Sequence, residues 1–363
     1  MRNSPGVVGR PGRHMNKLLL PLSWLYGAGM ACRNKAFDLG LLKSEAVGVP
    51  VISVGNMTMG GVGKTPLVEY IVGMCLAKAR KVAVVSRGYR RSSQGVVMVS
   101  DGRKLLADAG RGGDEPVQVA RKHPNAIVVV GERRVEAARA AVSGLKADLI
   151  VMDDGFQHRS LRRELDIVVI DSRKDLFLTP MIPAGERREP LRALGRAQLV
   201  ALSRSDQDTG WWKEKGEASG IPTIRYCYRI ERLREVCPDG ERDVDSLDGK
   251  NLFLFSGIGD HQDFLRQVKE VYRPVVGELR FPDHHAYSSG DLNSIAAAAK
   301  AAGATALLTT EKDAVRLSGN RAGIKTILQQ FPLFYVGIAI DITQGKEVLH
   351  SMIEECLLRG SLS

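Results

Sequence analysis

The chain has 363 residues, of which 44% are apolar and 26% charged, a balance that excludes a disordered or collagen-like polypeptide and leaves room for two domains of ordinary size. Its formal charge is +11, and the first 50 residues hold seven Lys or Arg against two Asp or Glu, which points to negatively charged partners such as phosphorylated lipid, nucleotide or nucleic acid. Five cysteines (Cys32, Cys75, Cys227, Cys237 and Cys356) stand at scattered spacings with no C-x-x-C pair for zinc or redox work, as expected on a reducing, cytosolic face.

Residues 1–14, rich in Gly, Pro and Arg, read as disordered, and Met15 is a second candidate start. Residues 15–44 centre on "LLLPLSWLYGAGMAC" (18–32), a block of 15 residues that falls short of the roughly 20 needed to cross a bilayer. Three readings are open: a signal peptide preceded by Arg2, Arg10, Arg13 and Lys17, a helix packed on the protein's own core, or an interfacial, membrane-associating helix. In the last, Leu22, Trp24, Leu25 and Tyr26 dip into lipid while Arg33 and Lys35 meet anionic headgroups. A nucleotide loop further along argues against export.

From residue 45 to 222 short Val/Ile-rich runs alternate with helical stretches. Strands are expected at 49–55, 81–86, 126–131, 147–155, 165–171 and 197–204, and helices at 65–79, from 113 onward, and at 133–144. Nearly continuous apolar strands in this alternation imply a parallel α/β sheet covered by helices on both faces. Residues 223–250 change character, alternating polar and apolar around Pro238, Asp239 and Gly240, and read as a β-hairpin or extended connector. A second, smaller α/β domain is expected over 251–363, and no internal repeat is visible.

The loop "TMGGVGKT" (58–65) lies between the first strand and the first helix of the alternation. A phosphate-binding loop reads G-x-x-x-x-G-K-[ST]; here Gly63, Lys64 and Thr65 fill the last three places and Thr58 stands for the first glycine. Gly60 and Gly61 restore the flexibility, so Thr58, Met59, Gly60, Gly61, Val62, Gly63, Lys64 and Thr65 form a P-loop cradle with amides aimed at phosphate. Lys64 is expected on the β- and γ-phosphates and Thr65 on Mg²⁺. Further on, "LIVMDDG" (149–155) puts Asp153 and Asp154 at the carboxyl end of an apolar strand, where open α/β sheets place their ligands, as carboxylates for the metal. Gln157 and His158 share that rim.

The motifs "GNMTMGGVGKTP", "SRGYRR", "GGDEP", "DDGFQHRSLRRELDIVVID", "PAGERREP" and "FPDHHAY", in this order, resemble the tetraacyldisaccharide 4'-kinases, the lipid A 4'-kinase family of Gram-negative bacteria. The resemblance runs from about residue 16 to 340. It implies a P-loop kinase that uses ATP and Mg²⁺ to phosphorylate the 4'-hydroxyl of a tetraacylated glucosamine disaccharide 1-phosphate in lipid A biosynthesis. It further implies a peripheral protein, expected as a monomer, on the cytoplasmic face of the inner membrane, with the short N-terminal helix as its membrane-associating element.

By the same resemblance Asp114 of "GGDEP", at the head of a helix where the dipole favours an acid, is the catalytic base. A histidine of "FPDHHAY" is its partner, with His284 preferred to His285. Glu115 is expected on a substrate hydroxyl or in the metal shell. Arginines at strand ends suit bidentate phosphate recognition: Arg87 in "SRGYRR", Arg133 and Arg134 in "GERR", and Arg188, which with Glu189 matches a family pair near the nucleotide.

Two other functions compete. The loop also resembles the K-G-G-x-G-K-[ST] loop of membrane-cycling switch ATPases, but Met59 occupies the place of their signature lysine. A non-catalytic membrane scaffold would have no use for "GGDEP" or "FPDHHAY". Nucleic-acid binding is disfavoured because the basic residues are dispersed and aromatics make up only 6%.

Overall fold

The computed structural model describes residues 17–237 and 240–359. The expectation of disorder at 1–14, the arginines there, and Pro238–Asp239 of the expected turn lie outside the described residues.

The first half of the chain builds strands β1 (Val51–Asn56), β2 (Val82–Ser86), β3 (Val97–Asp101), β4 (Ile127–Val130), β5 (Leu149–Asp153), β6 (Leu165–Asp171) and β7 (Leu199–Ser203). Helix α1 (Leu20–Asp38) precedes them, and α2 (Lys64–Ala77), α3 (Ala109–Gly112), α4 (Asp114–Lys122) and α5 (Arg134–Arg139) are interleaved. β1, β2, β4, β5, β6 and β7 are buried along their whole length, as strands covered on both faces must be. α2 shows why the helices dock: Leu67, Val68, Ile71, Val72 and Cys75 fall on one side at helical spacing and all are buried. β1 sits between β5 and β6, both parallel to it, so the loop leaving its carboxyl end opens at the middle of the sheet.

Two expectations are corrected. The segment expected as a β-hairpin or extended connector does hold an antiparallel pair, β8 (Thr223–Cys237) with β9 (Gly240–Asp243), but β8 is 15 residues long and does more than connect. The first part of β8 runs parallel to β7, and nearly all of it pairs antiparallel with β13 (Leu333–Gln344). The remaining strands, β10 (Leu252–Ser256), β11 (Val275–Arg280) and β12 (Ala306–Thr310), attach to β13 in parallel. Among the described residues one mixed sheet therefore runs in the order β11-β10-β12-β13-β8-β7-β6-β1-β5-β2-β4-β3, instead of a parallel sheet hinged to a separate one. The second correction is β3, an antiparallel edge strand that the sequence reading passed over because Val97–Asp101 is short and half-polar. Helices α6 (His261–Val271), α7 (Ser289–Ala301), α8 (Glu311–Leu317), α9 (Arg321–Leu328) and α10 (Lys346–Arg359) complete the fold.

α1 is turned inside out relative to an ordinary surface helix. Its polar residues face the protein: Ser23 donates to the Met181 carbonyl (2.9 Å), Tyr26 to that of Arg188 (3.0 Å), and buried Asn34 to Glu189 (2.7 Å). Several of its apolar residues face out, with Trp24 73%, Leu25 70% and Leu22 53% exposed. No helix among the described residues is long and apolar enough to cross a membrane.

Candidate active site

The loop after β1 is held from outside by its carbonyls. Ser203 donates to Val62 O (2.7 Å), Arg204 to Gly61 O (3.2 Å) and Tyr226 to Gly63 O (3.0 Å). Gly60 (φ 102°) and Gly63 (φ 87°) adopt the left-handed backbone the turn requires, and a side chain on Gly63 would run into the Tyr228 hydroxyl. With the carbonyls of Gly61, Val62 and Gly63 bound from outside and the first-turn amides of α2 lacking intrahelical partners, the loop leaves N–H groups available to an anion. Thr58 and Met59 are placed differently from the rest of the expected cradle: Thr58 forms a bridge with Arg187, and the Met59 amide donates to Glu186 O at 2.7 Å.

Lys64, the first residue of α2, forms an ion pair with Asp154 (3.1 Å), which also takes Arg188 at 3.2 Å. Burial alone would raise the Asp154 carboxyl, but Lys64 and Arg188 outweigh it and hold it well below the usual range. Asp153 behaves oppositely. It is buried, its Oδ1 has no hydrogen-bond partner, and burial followed by the negative charge of Glu115 pushes it up to about 7. A buried, unsatisfied carboxylate oxygen at the carboxyl end of β5 is what a cation site needs. Among the described residues no group of three or more His, Cys, Asp or Glu forms a protein-only metal cage. Asp153, Asp154 and Thr65 are the residues that would hold an ion whose other ligands come from outside the protein.

Of the "GERR" pair, the structure turns the expected arginine outward. Arg133 is 75% exposed and bound to Glu136, one helical turn on, at 2.6 Å. Arg134 is only 1% exposed; it donates to Gly131 O (2.8 Å), and its Nε and Nη2 have no partner. Burial lowers its pKa to about 10 against the opposing pull of Asp154, and Arg87, exposed at the end of β2, adds to the lowering. His158 is brought down to about 4 by burial and by Arg134. Arg134, and not Arg133, is thus the arginine of the pair turned inward, a choice the i,i+1 spacing alone could not make. Gln157 donates to Asn56 O at 2.9 Å, which keeps it beside the loop. Glu189 is not brought to the nucleotide loop: it is fully buried, and both carboxylate oxygens are taken, one by Asn34 and Arg196 and the other by Arg196.

Asp114 is the first residue of α4, placed by Gly113, whose φ of 89° lets the chain pass closely over Gly88. Its Oδ2 receives His284 Nδ1 (2.9 Å) and Arg316 Nε (2.8 Å) and Nη2 (2.5 Å), while Oδ1 receives the Glu115 amide (3.1 Å). Burial would raise this carboxyl, but the His284 hydrogen bond and the charges of Lys312 and Arg316 reverse the effect and hold it far below its ordinary value. His284 comes from the loop after β11 with φ 60°, lies edge-on to Tyr89 at 5.4 Å, and has its carbonyl and that of Asp283 bound by Arg90. His285 points elsewhere, to Asp291 (3.1 Å) and onto Phe281.

Glu115 binds Lys312 at 2.8 Å, which lowers it against the cost of burial, and Lys64 lowers it further. Glu115 therefore joins the Asp114–His284 pair electrostatically to Lys64 and Asp153. Lys312 and Arg316, four residues apart on one face of α8, were not foreseen. Their only trace in the sequence is the spacing of two bases in "EKDAVRL", which is also ordinary surface-helix patterning.

A family model described as tetraacyldisaccharide-1-P 4'-kinase matches residues 15–357. The tetraacyldisaccharide 4'-kinase of Anaeromyxobacter sp. (strain Fw109-5) is 39% identical over 353 residues, covering 95% of this chain and 93% of the relative. That of Pelodictyon phaeoclathratiforme (strain DSM 5477 / BU-1) is 36% identical over 354 residues, 94% and 97% of the two chains. Among solved structures, LpxK from Aquifex aeolicus in complex with ATP superposes with a TM-score of 0.75 at 30% identity, over 94% of this chain and 98% of that one.

Proposed function

The chain belongs to the tetraacyldisaccharide 4'-kinase family, and we propose that in this kinase the Asp114–His284 pair takes the proton of the acceptor hydroxyl. The activity is transfer of the γ-phosphoryl group of ATP to the 4'-hydroxyl of tetraacyldisaccharide 1-phosphate, a step of lipid A biosynthesis. The switch-ATPase alternative is thereby set aside. The observation that carries the proposed role is the 2.9 Å contact between a carboxylate and an imidazole, linked through Glu115 to the phosphate loop.

In this reading the loop amides and Lys64 hold the phosphates, and Lys64 exchanges Asp154 for the γ-phosphoryl oxygens. Mg²⁺, held by Thr65, Asp153 and Asp154, supplies charge neutralisation for the phosphates when bound. Arg134, with Arg87 at the rim, faces the same charge, and Arg188 is released from Asp154 toward it. The acceptor O–H bond breaks, its proton passes to the Asp114–His284 pair, and the oxygen's electron pair forms the new bond to phosphorus. The bond to the bridging oxygen breaks, and that electron pair leaves with ADP. Glu115 is positioned to accept from a substrate hydroxyl.

The exposed apolar side chains of α1 support a peripheral, membrane-associated protein, since Leu22, Trp24 and Leu25 are each more than half exposed and Lys35 flanks them. The cytoplasmic face of the inner membrane and a monomeric state complete this proposal, with residues 45–222 and 251–363 as two domains sharing one sheet. The test is incubation with γ-labelled ATP, Mg²⁺ and tetraacyldisaccharide 1-phosphate. Label is expected in the lipid, and its loss from the lipid in Asp114→Asn with ATP binding retained; transfer undiminished in that variant removes the pair from the chemistry.

A further inference from the structure

We propose that Arg316 is a positioning residue for phosphoryl transfer: its guanidinium, reaching across from α8, saturates one oxygen of Asp114 and so fixes the face that the His284 imidazole turns to the acceptor hydroxyl. This rests on the reading of Asp114 and His284 as the proton-accepting pair.

The geometry is that of a built joint. The Arg316 side chain is 6% exposed, with Nε and Nη2 on Asp114 Oδ2 (2.8 and 2.5 Å), Nη1 on Gly257 O (2.7 Å) and Asp313 Oδ1 (2.9 Å), and Nη2 also 3.3 Å from His284 Nδ1. Asp313 is itself anchored, receiving the Gly257 amide and the Thr310 hydroxyl (2.7 Å). The guanidinium plane is therefore locked to the carboxyl ends of β10 and β12, and it holds the head of α4 against them. Only the planar fork of arginine can meet a carboxylate side-on while its third nitrogen serves a carbonyl behind it.

The consequence for His284 follows from donor counting. Arg316 Nη2 lies 3.3 Å from His284 Nδ1 but is committed to Asp114 Oδ2 at 2.5 Å, and Asp114 between two guanidinium N–H groups is an ionised acceptor, so the shorter 2.9 Å contact puts the hydrogen on Nδ1. In the neutral imidazole the lone pair then lies on Nε2, whose nearest charged neighbour is Asp283 at 3.9 Å, beyond hydrogen-bond reach. The groups facing the pair are Tyr89 and Arg90 from the loop after β2, Glu115 from α4, Asp283 from its own loop, and Lys312, Asp313 and Arg316 from α8. With Arg316 in place, Nε2 is the open acceptor, and the acceptor's proton joins its lone pair as the oxygen attacks phosphorus. Without Arg316, Asp114 keeps only His284 and the Glu115 amide, and the pair is free to tilt.

The test combines Arg316→Ala, Arg316→Gln and Arg316→Lys with Asp114→Asn, measuring kcat and KM for ATP and for the lipid alongside thermal unfolding. Arg316→Ala is expected to lower kcat by about 10- to 100-fold, the cost of a misaligned catalytic group, with the KM for ATP within about twofold. Millimolar guanidinium ion, well below denaturing concentrations, should restore part of the loss in Arg316→Ala and none in Asp114→Asn, a rescue that a merely structural role would not show. In the Asp114→Asn background the further loss on removing Arg316 should be less than about threefold, because the two act through one contact. If Arg316→Ala does not fold, Arg316→Gln, which keeps one N–H arm, carries the same comparison. Fully multiplicative losses, or a defect confined to the KM for ATP, overturn the assignment of Arg316 while leaving the pair intact. Undiminished transfer in Asp114→Asn overturns the pair and, with it, this inference.

Discussion

His284 donates from Nδ1 to Oδ2 of Asp114 at 2.9 Å although 170 residues separate them in the chain. One sits at the head of α4 in the first half and the other on the loop after β11 in the second. The contact exists because β8 and β13, paired over almost their whole length, carry a single sheet from one half to the other. The glycine-rich loop after β1 and Asp114 thus come from one end of one framework and His284 from the other.

Lys64→Ala should remove a charge that follows the γ-phosphoryl group to the transition state. A fall in kcat of roughly a hundredfold, about 3 kcal/mol, is expected in steady-state assays with ATP and lipid. Near wild-type turnover would contradict the placement of the phosphates on this loop.

The two faces of α1 should separate by mutation. Replacing Leu22, Trp24 and Leu25 by Ser removes apolar area most of which faces solvent in this structure, so affinity for anionic vesicles should drop at least roughly tenfold with little change in Tm. Asn34→Ala should do the reverse. It takes a hydrogen bond from the buried Glu189, at a cost of about 1–3 kcal/mol, and should lower Tm while vesicle binding persists. Co-sedimentation and thermal unfolding of both variants check this. A triple-serine variant that melts early but still binds vesicles would mean that the face is core.

Much of this was legible in the sequence, because the chemistry lies close to local pattern. The apolar runs of β1, β5 and β6 and the turn glycines Gly60 and Gly63 mark the phosphate loop and its carboxylates directly. What escaped depends on contacts between distant segments. The pairing of β8 with β9 was legible, but periodicity shows a strand and not its partner, so the sharing of the 15-residue β8 between β7 and β13 was not. Arg134 and Arg133 differ only in which side of the α5 start they leave from. Glu189 resembles a ligand in sequence but is consumed by Asn34 and Arg196, and Arg316 is an ordinary helix residue until Asp114 is brought to it.

His123, at the end of α4, should leave a mark on the pH dependence of stability. Burial and the neighbouring Lys122 and Arg232 charges lower its pKa to about 4. The unfolded chain takes up this proton below about 6.5, whereas the folded protein takes it only near 4. The unfolded state therefore binds more protons in that window, and stability is lost as pH falls through it. Denaturant unfolding of wild type and His123→Phe between pH 7 and pH 4 should differ in slope by close to one proton. Parallel curves would show that His123 titrates normally in the folded state.

The central claim is that Asp114 and His284 work as one unit on the acceptor hydroxyl. The most direct measurement is single-turnover transfer of labelled phosphate to the lipid by Asp114→Asn, His284→Ala and the double variant, with ATP affinity determined separately. Each single variant is expected to lose roughly 10²- to 10⁴-fold in the transfer step with ATP affinity retained, and the double variant should be little worse than the more damaging single one. Losses that multiply fully in the double variant, or a harmless His284→Ala beside a damaging His285→Ala, would contradict the account.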